Sequence, residues 1–274
     1  TSKIVSKDSI QHIITINDEI NKSVIQFQKT TKGTLITWKL SGKLSFKLKL
    51  VSVLQGGIAT ILGNELETGL NNINTYLVKE LTDYGVITSG LVTKRATNYI
   101  QQQDTCNQKD FQKISKTMLQ NMMSFVKKNE IAITGLPFII YKNRKTFNGK
   151  VIFAMCVPVK EEILTTENSE ISGGHFDDFL AVKTVLRGDY SHSNEAWNKA
   201  FLYIKGKKLV EDETGKYIRI YKTSLPKERK PSNWITEIYI PVKKKGFVPR
   251  VEKTVITEEV TTLIENTNKN KTIK

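Results

Sequence analysis

Residues 135–142 read GLPFIIYK and residues 215–222 read GKYIRIYK, and in the same order FAMCVPV at 153–159 is answered by TEIYIPV at 236–242. The tyrosines of the first pair of segments are 80 positions apart, and the prolines of the second pair are 83 apart. Agreement in both order and spacing indicates an internal repeat.

Each pair of segments is preceded by an extended run and a helical stripe of apolar residues. SGLVTKRATNYI at 89–100 matches FLAVKTVLRGDY at 179–190 in having a central lysine and a terminal tyrosine. The helical positions are Phe111, Ile114, Met118, Met122 and Phe125 in the first copy and Trp197, Ala200, Phe201 and Ile204 in the second. One β-α-β-β unit cannot bury such a stripe well, so the pattern predicts an α+β fold in which two units pack side by side.

The first third of the chain has a different pattern. SVIQFQKT at 23–30 and TLITWKL at 34–40 alternate apolar and polar residues around Lys32 and Gly33, which predicts a β-hairpin. We expect a third strand near 43–50. Apolar residues then recur at steps of three or four from Ile58 to Leu81, which predicts one long amphipathic helix.

These patterns divide the chain into three parts. We expect an N-terminal strand and helix segment over 1–84, the repeated domain over 85–245 with its two copies at about 85–160 and 172–245, and an extension over 246–274. The extension is predicted to form a strand or short helix near 253–264 and to end in a disordered tail.

The net charge of +15 raises the question of nucleic acid binding. Residues 85–245 hold most of the excess, with 27 basic and 16 acidic residues. Their basic clusters, at 142–145, 205–208, 227–230 and 243–245, coincide with predicted turns and strand ends. A groove-binding surface usually places Arg and aromatic residues along one helix or sheet face. We therefore interpret the clusters as solvated loops and expect no nucleic-acid partner.

Several other classes of function lack their sequence signatures. Cys106 and Cys156 are the only cysteines and do not have metal-ligand spacing. No apolar run approaches the ~20 residues of a membrane helix. Residues 173–178 read GGHFDD, which we interpret as a connecting loop with a capping Asp. Phosphate-binding, dinucleotide and nucleophile-elbow motifs are not found. We expect a cytoplasmic protein with no cofactor and no metal.

The repeated region resembles the GyrI-like or AraC-type effector-binding domain. The matching residues are the run from Leu186 to Tyr190, Trp197, Tyr221, and the closing strand from Thr236 to Val242. The resemblance implies an antiparallel sheet built from two pseudo-symmetric halves, two packed helices and a ligand cleft where the halves meet. It also implies a small-molecule ligand, whereas a protein partner or a second copy of the chain stays open.

The N-terminal part has a second resemblance. TLITWKLSGKLSFKLKL followed by LETGLNNINTYLVKEL is similar to the second half of a START-like helix-grip domain of the polyketide cyclase type. That family uses its cup for apolar ligands. An incomplete cup with a purely structural role is the alternative.

Glu237 is the candidate binding residue that carries a charge. In a strand it shares a face with Ile235 and Tyr239, and a carboxylate buried there needs a partner. In the resembling family this Glu meets cationic or polar ligands in an aromatic pocket. Ala154 occupies the matching position of the first repeat, so the strand itself does not require an acid. The alternative is an ordinary cross-strand ion pair with Arg219 or a nearby Lys.

The remaining candidates are aromatic. Tyr217, Arg219 and Tyr221 alternate on one strand face, and Tyr141 is the repeat counterpart of Tyr221. Tyr141, Tyr221 and Tyr239 could offer both rings and hydroxyls to a ligand. Trp197 is included because of the family pattern, although its place on the helical stripe also fits core packing.

We therefore predict a protein that binds an effector or drug-like molecule, cationic or aromatic, and has no DNA-binding segment of its own. The alternative is a hydrolase of electrophilic small molecules. In that case Glu237 would act as the general base and Tyr221 would position the substrate.

Overall fold

The protein is described by a computed structural model that covers residues 2–6, 8–16, 19–31, 33–43, 45–142, 150–166, 169–223 and 227–244. Its first part is a four-stranded antiparallel meander. The strands are β1 (Ser2–Ser6), β2 (Ser9–Ile16), β3 (Glu19–Thr30) and β4 (Gly33–Gly42), in that order across the sheet. Two helices follow, α1 (Phe46–Leu54) and α2 (Ile58–Thr82).

The helix α2 crosses from the meander to the repeated domain. Near its middle, Gly69 lies against the ring of Trp38 on β4 so closely that a side chain at position 69 would collide with it. At its C-terminal end the buried carboxylate of Glu80 accepts a hydrogen bond of 2.5 Å from the hydroxyl of Ser232. None of the helices in the described ranges is long and apolar enough to span a membrane.

The repeated domain is one antiparallel sheet of strands with two helices on it. The strands are β5 (Gly85–Lys94), β6 (Thr97–Asn107), β7 (Phe138–Tyr141), β8 (Lys150–Val159), β9 (Ser172–Phe176), β10 (Phe179–Arg187), β11 (Leu209–Glu211), β12 (Tyr217–Tyr221) and β13 (Ile235–Lys244). The helices are α3 (Phe111–Lys128) and α4 (Ser193–Gly206), and α4 is preceded by a short 3-10 helix, Tyr190–His192.

The order of the strands shows the two halves. It runs β5-β10-β13-β12-β7-β8-β6-β9, and β11 pairs with β13 at one side. The halves meet at the antiparallel pairing of β12 with β7, where Arg219 lies opposite Ile139. The outermost strand of each half of the sheet comes from the other copy of the repeat. β5 of the first copy pairs with β10 of the second, and β9 of the second copy pairs with β6 of the first. The predicted sheet of two pseudo-symmetric halves is confirmed.

Alternation along the strands separates two sides of the sheet. Ile139 belongs to a core cluster with Met118 and Met122 of α3, so its side of the sheet carries the helices. Its neighbours Phe138 and Ile140 belong to a second cluster on the other side, together with Tyr239. A third cluster packs α4 against β10 and β13.

Three sequence-based expectations differ from the structure. The predicted third strand near 43–50 is wrong, because residues 46–54 form α1. The sequence pattern fits both structures. Alternation over residues 43–50 fits a strand, and the spacing of the apolar residues Phe46, Leu50, Val53 and Leu54 fits one face of a helix. Residues 89–100 do not form one extended run, because β5 ends at Lys94 and β6 begins at Thr97. Most of the segment 173–178, interpreted as a loop, belongs to strand β9.

Other expectations are confirmed or fall outside the described ranges. The predicted hairpin corresponds to β3 and β4, and the predicted long helix corresponds to α2. The capping Asp before β10 is Asp178, whose carboxylate accepts a hydrogen bond of 2.5 Å from the backbone N–H of Ala96. The predictions for 246–274 lie outside the described residues.

Candidate functional site

A cavity of about 770 Å³ lies on the helix side of the sheet, where α3 and α4 begin. Its floor comes from β7, β8 and β12, and its walls come from the first turns of the two helices and from the 3-10 helix before α4. The aromatic lining residues are Phe111, Tyr141, Tyr190, Trp197, Phe201, Tyr217 and Tyr221. The other lining residues are mostly polar. A concave cavity that combines aromatic side chains with polar groups is the usual form of a small-molecule site.

The aromatic side chains of the cavity are in contact with one another. The rings of Tyr141 and Trp197 meet edge to face, with centres 5.7 Å apart. Tyr190 and Tyr221 lie closer, at 4.7 Å. Such contacts stabilise a cavity wall by about 0.5–1.5 kcal/mol per pair beyond the burial of area. The cavity walls are therefore largely formed before any ligand binds.

Arg219 lies at the floor of this cavity and is 7% exposed. Its guanidinium carbon is 5.1 Å from the centre of the Phe111 ring, 5.3 Å from that of Tyr141 and 5.0 Å from that of Tyr221. Its Nε is buried without a hydrogen-bond partner in the protein. The guanidinium is thus surrounded by rings, which attract a cation but do not neutralise it.

The protonation states of this group follow from its surroundings. Burial lowers the pKa of Arg219, but the phenols of Tyr141, Tyr221 and Tyr190 raise it, and the net direction is upward. Burial raises the pKa of both Tyr141 and Tyr221, although the nearby guanidinium lowers it. At neutral pH the floor of the cavity therefore carries one positive charge among neutral phenols.

Several polar groups at the rim already have partners. The hydroxyl of Tyr190 donates to the carbonyl of Thr223 at 3.1 Å, and that of Tyr217 donates to the carboxylate of Glu211 at 2.6 Å. Asp189 caps the 3-10 helix by accepting a hydrogen bond from the N–H of Ser191 at 2.9 Å. These contacts fix the loop before α4 and with it one wall of the cavity.

The sheet places the candidate residues in two groups. Tyr141 and Tyr221, from β7 and β12, lie in the cavity with Trp197 of α4. Glu237 lies opposite Ile220 on β12, while Tyr221 lies opposite the neighbouring Thr236. Because successive strand residues point to opposite faces, Glu237 and Tyr239 lie on the side of the sheet away from the cavity. The general base and the positioning residue of the hydrolase alternative are therefore on opposite faces.

Glu237 forms a cross-strand ion pair, the alternative that the sequence left open. Its Oε1 is 2.8 Å from Nζ of Lys183 on β10, and its Oε2 accepts a hydrogen bond of 2.8 Å from the hydroxyl of Tyr239. Burial raises the pKa of Glu237, but the bonds from Lys183 and Tyr239 and the charges of Lys183 and Lys222 outweigh it and lower the pKa. Arg219 is not its partner.

Sequence reasoning treated Arg219 only as a possible partner of Glu237 and did not identify its place in the cavity. A usable signal was present, since the matching position of the first repeat is Ile139, which is fully buried. Phe111 and Tyr190 were also missed as lining residues. They stand at the starts of the helical segments, and only the docking of the helices on the sheet brings those starts together.

No group of three or more His, Cys, Asp or Glu within the described ranges could hold a metal ion. His175, in the GGHFDD segment, contacts Asn98 at 2.6 Å and Asp177 at 3.1 Å. These contacts belong to the connection between β9 and β10 and lie outside the cavity lining.

Comparison with protein families gives one match. The model described as "GyrI-like small molecule binding domain" matches residues 91–243, more than half of the chain. The chain belongs to the GyrI-like family. The match covers the whole cavity floor and both helices, and the START-like resemblance of residues 1–84 is not confirmed by any comparison. A search of curated proteins found no match.

Solved structures support the same fold. The GyrI-like domain is similar to the crystal structure of the EcmrR C-terminal domain, with 16% identity, a TM-score of 0.51, and coverage of 59% of this chain and 98% of that chain. The cryo-EM structure of an EcmrR–DNA complex matches with 14% identity and a TM-score of 0.51, and covers 73% of this chain and 78% of that chain. At such identities the similarity shows the fold.

Proposed function

We propose that this GyrI-like protein binds a small organic effector in the cavity between α3 and α4. The observation that carries the proposal is a cavity of about 770 Å³ with seven aromatic lining residues. That volume lies within the usual range of ligand pockets, roughly 300–1,000 Å³. Membership in a family described by small-molecule binding supports the same role.

Three of the candidate residues have direct parts in this proposal. Tyr141, Tyr221 and Trp197 supply apolar area on two sides of the cavity, and the two phenols add hydroxyl groups near the floor. Glu237 and Tyr239, on the opposite side of the sheet, stabilise β10 against β13. Ligand binding itself is the proposed role, without turnover and without direct contact of this domain with DNA.

The test uses three probes of different charge and two matched variants of α4. The probes are the anion 8-anilinonaphthalene-1-sulfonate, the neutral N-phenyl-1-naphthylamine and the cation tetraphenylphosphonium. Asn198→Trp adds a bulky ring at a lining position, whereas Leu202→Trp adds the same ring one turn later at a side chain that is 68% exposed and outside the lining. Binding is followed by probe fluorescence, excited in the probe's own absorption band, and by calorimetry for the cation.

We expect at least one probe to bind the wild type with one-to-one stoichiometry. Its affinity should fall by about 10-fold or more, equivalent to 1.4 kcal/mol, in Asn198→Trp and stay unchanged in Leu202→Trp. The proposal is wrong if no probe binds, or if the two variants behave alike while both retain the wild-type circular dichroism spectrum.

A further inference from the structure

We infer that the cavity selects organic anions, namely aromatic molecules with a carboxylate, sulfonate or phosphate group, and that Arg219 binds the acidic group. The inference rests on the proposed function and adds the chemical class of the ligand. It follows from the position of Arg219: its cationic side chain is 7% exposed and lies among the aromatic residues of the cavity floor.

Arg219 has no acidic partner among the described residues. The groups that act on its charge are the phenols of Tyr141, Tyr221 and Tyr190. The hydroxyl of Tyr221 accepts a hydrogen bond from the guanidinium, but Nε has no acceptor. A buried charge is unfavourable unless it is paired and hydrogen-bonded, and rings satisfy only part of this requirement. An acidic ligand group would supply the missing acceptor and the missing negative charge.

The strand does not need an arginine for its own packing. Arg219 lies directly opposite Ile139 at the junction of the two halves, and Ile139 is also its counterpart in the repeat. The isoleucine is fully buried in the core beneath α3. An apolar residue therefore fits this position in one half, and the charge in the other half requires a different reason.

The rest of the cavity has the same electrostatic preference. The starts of both α3 and α4 border it, and a helix N-terminus carries a partial positive charge. Two acidic residues are close to these helix starts, Asp110 before α3 and Glu195 in the first turn of α4, but neither lines the cavity, whereas Lys109 does. Asp189 is the one acidic lining residue, and its carboxylate is already engaged with the N–H of Ser191.

A cation, by contrast, would find no buried carboxylate in the lining. Glu237 lies on the other face of the sheet and is paired with Lys183. A cation on the cavity floor would lie next to the guanidinium of Arg219. An anion with an aromatic body fits both features, because its rings contact Tyr141 and Trp197 while two of its oxygens accept from the planar guanidinium fork.

The experiment compares 8-anilinonaphthalene-1-sulfonate with N-phenyl-1-naphthylamine, which has the same rings and lacks the sulfonate. We expect the wild type to bind the sulfonate at least about 10-fold more tightly, the usual effect of hydrogen bonds to charged groups. In Arg219→Gln this preference should disappear, while the affinity for the neutral probe changes by less than about 3-fold. Arg219→Lys should keep part of the preference because it keeps the charge without the fork.

The outcomes separate the inference from the proposed function. If the neutral probe or tetraphenylphosphonium binds the wild type as tightly as the sulfonate and Asn198→Trp blocks it, the cavity is a ligand site without the inferred selectivity. If no probe binds, the proposed function itself fails. Persistence of the sulfonate preference in a folded Arg219→Gln protein would also overturn the inference. The relative affinities of the wild type for the sulfonate and the neutral probe test the anion selectivity without any variant. This test therefore holds even if a variant folds poorly.

Discussion

At the scale of single residues, Arg219 and Glu237 differ in how their charges are balanced. Glu237 has Lys183 within 2.8 Å, whereas Arg219 is enclosed by rings. Replacing a buried ion pair with apolar side chains of similar volume is often neutral or stabilising, by about 1–4 kcal/mol. A buried charge without an ionic partner is more costly still to keep in the core. We therefore expect Arg219→Met to leave the free energy of unfolding of the ligand-free protein unchanged or higher.

Urea denaturation of the wild type and of Arg219→Met measures the difference in their free energies of unfolding. Loss of several kcal/mol in Arg219→Met would show that the guanidinium stabilises the fold and is not held ready for a ligand. The matched control is Ile139→Met at the symmetric position, which tests how well the core beneath α3 accepts methionine.

Glu237 leads to a prediction about pH. The folded state holds the pKa of this carboxylate below its ordinary value of 4.5, so its stabilising contribution is fully present above the unfolded pKa and is lost as pH falls through the folded pKa. Glu237→Gln should therefore be less stable than the wild type near pH 7, by about 1–3 kcal/mol. The difference in free energy of unfolding between the wild type and Glu237→Gln should become smaller below pH 4.5.

Thermal or urea unfolding of both proteins between pH 7 and pH 3 tests this expectation. Glu213→Gln, a change at an exposed residue in a turn, is the control and should show little effect at any pH. A gap that stays constant down to pH 3 would mean that the ion pair with Lys183 contributes no stability.

At the scale of elements, the end of α2 is joined to the repeated domain by polar contacts. Glu80 is 7% exposed and accepts hydrogen bonds from the hydroxyl and the N–H of Ser232, while Nε2 of His192 donates to the carbonyl of Leu81 at 2.9 Å. Tyr84 stacks on the same histidine with ring centres 3.6 Å apart. The loop before α4 thus contacts both the cavity and α2.

Removal of the Glu80 carboxylate should weaken this junction. Glu80→Ala leaves two donors of Ser232 without their acceptor, which costs about 1–3 kcal/mol. Hydrogen exchange should become faster at the C-terminal end of α2. Glu67→Ala, an exposed position on the same helix, is the control. Equal exchange in both variants would show that α2 is held by other contacts.

The elements also show what the sequence could and could not predict. The hairpin β3–β4 and the helix α2 follow from local periodicity, and the family resemblance rests on motifs that keep their order. Alternation correctly grouped Glu237 with Tyr239 and Tyr221 with Arg219 within their own strands, but it could not show that the two groups lie on opposite faces of the sheet. The ion pair between Lys183 and Glu237 could not be predicted from the sequence, because it depends on the register of β10 against β13. The position of Arg219 on the cavity floor depends on where two separate helices begin.

At the scale of the whole molecule, the two halves exchange strands. β5 is the first strand of the first copy in the chain but pairs with β10 of the second, and β9 is the first strand of the second copy but pairs with β6 of the first. Neither half of the chain contains all the strands of its own part of the sheet. The cavity floor likewise combines β7 and β8 of one half with β12 of the other.

We therefore expect residues 85–166 alone to be unfolded, because β5 lacks β10, β6 lacks β9 and β7 lacks β12. Co-expression with residues 169–244 should restore the sheet and the binding of whichever probe the intact protein binds. Circular dichroism and cooperative thermal unfolding measure the fold of each fragment and of the pair. The intact repeated domain, residues 85–244, serves as the control. Cooperative unfolding of the isolated first fragment would mean that one β-α-β-β unit buries its helix stripe without its partner, and that the shared strands add stability without being required for folding.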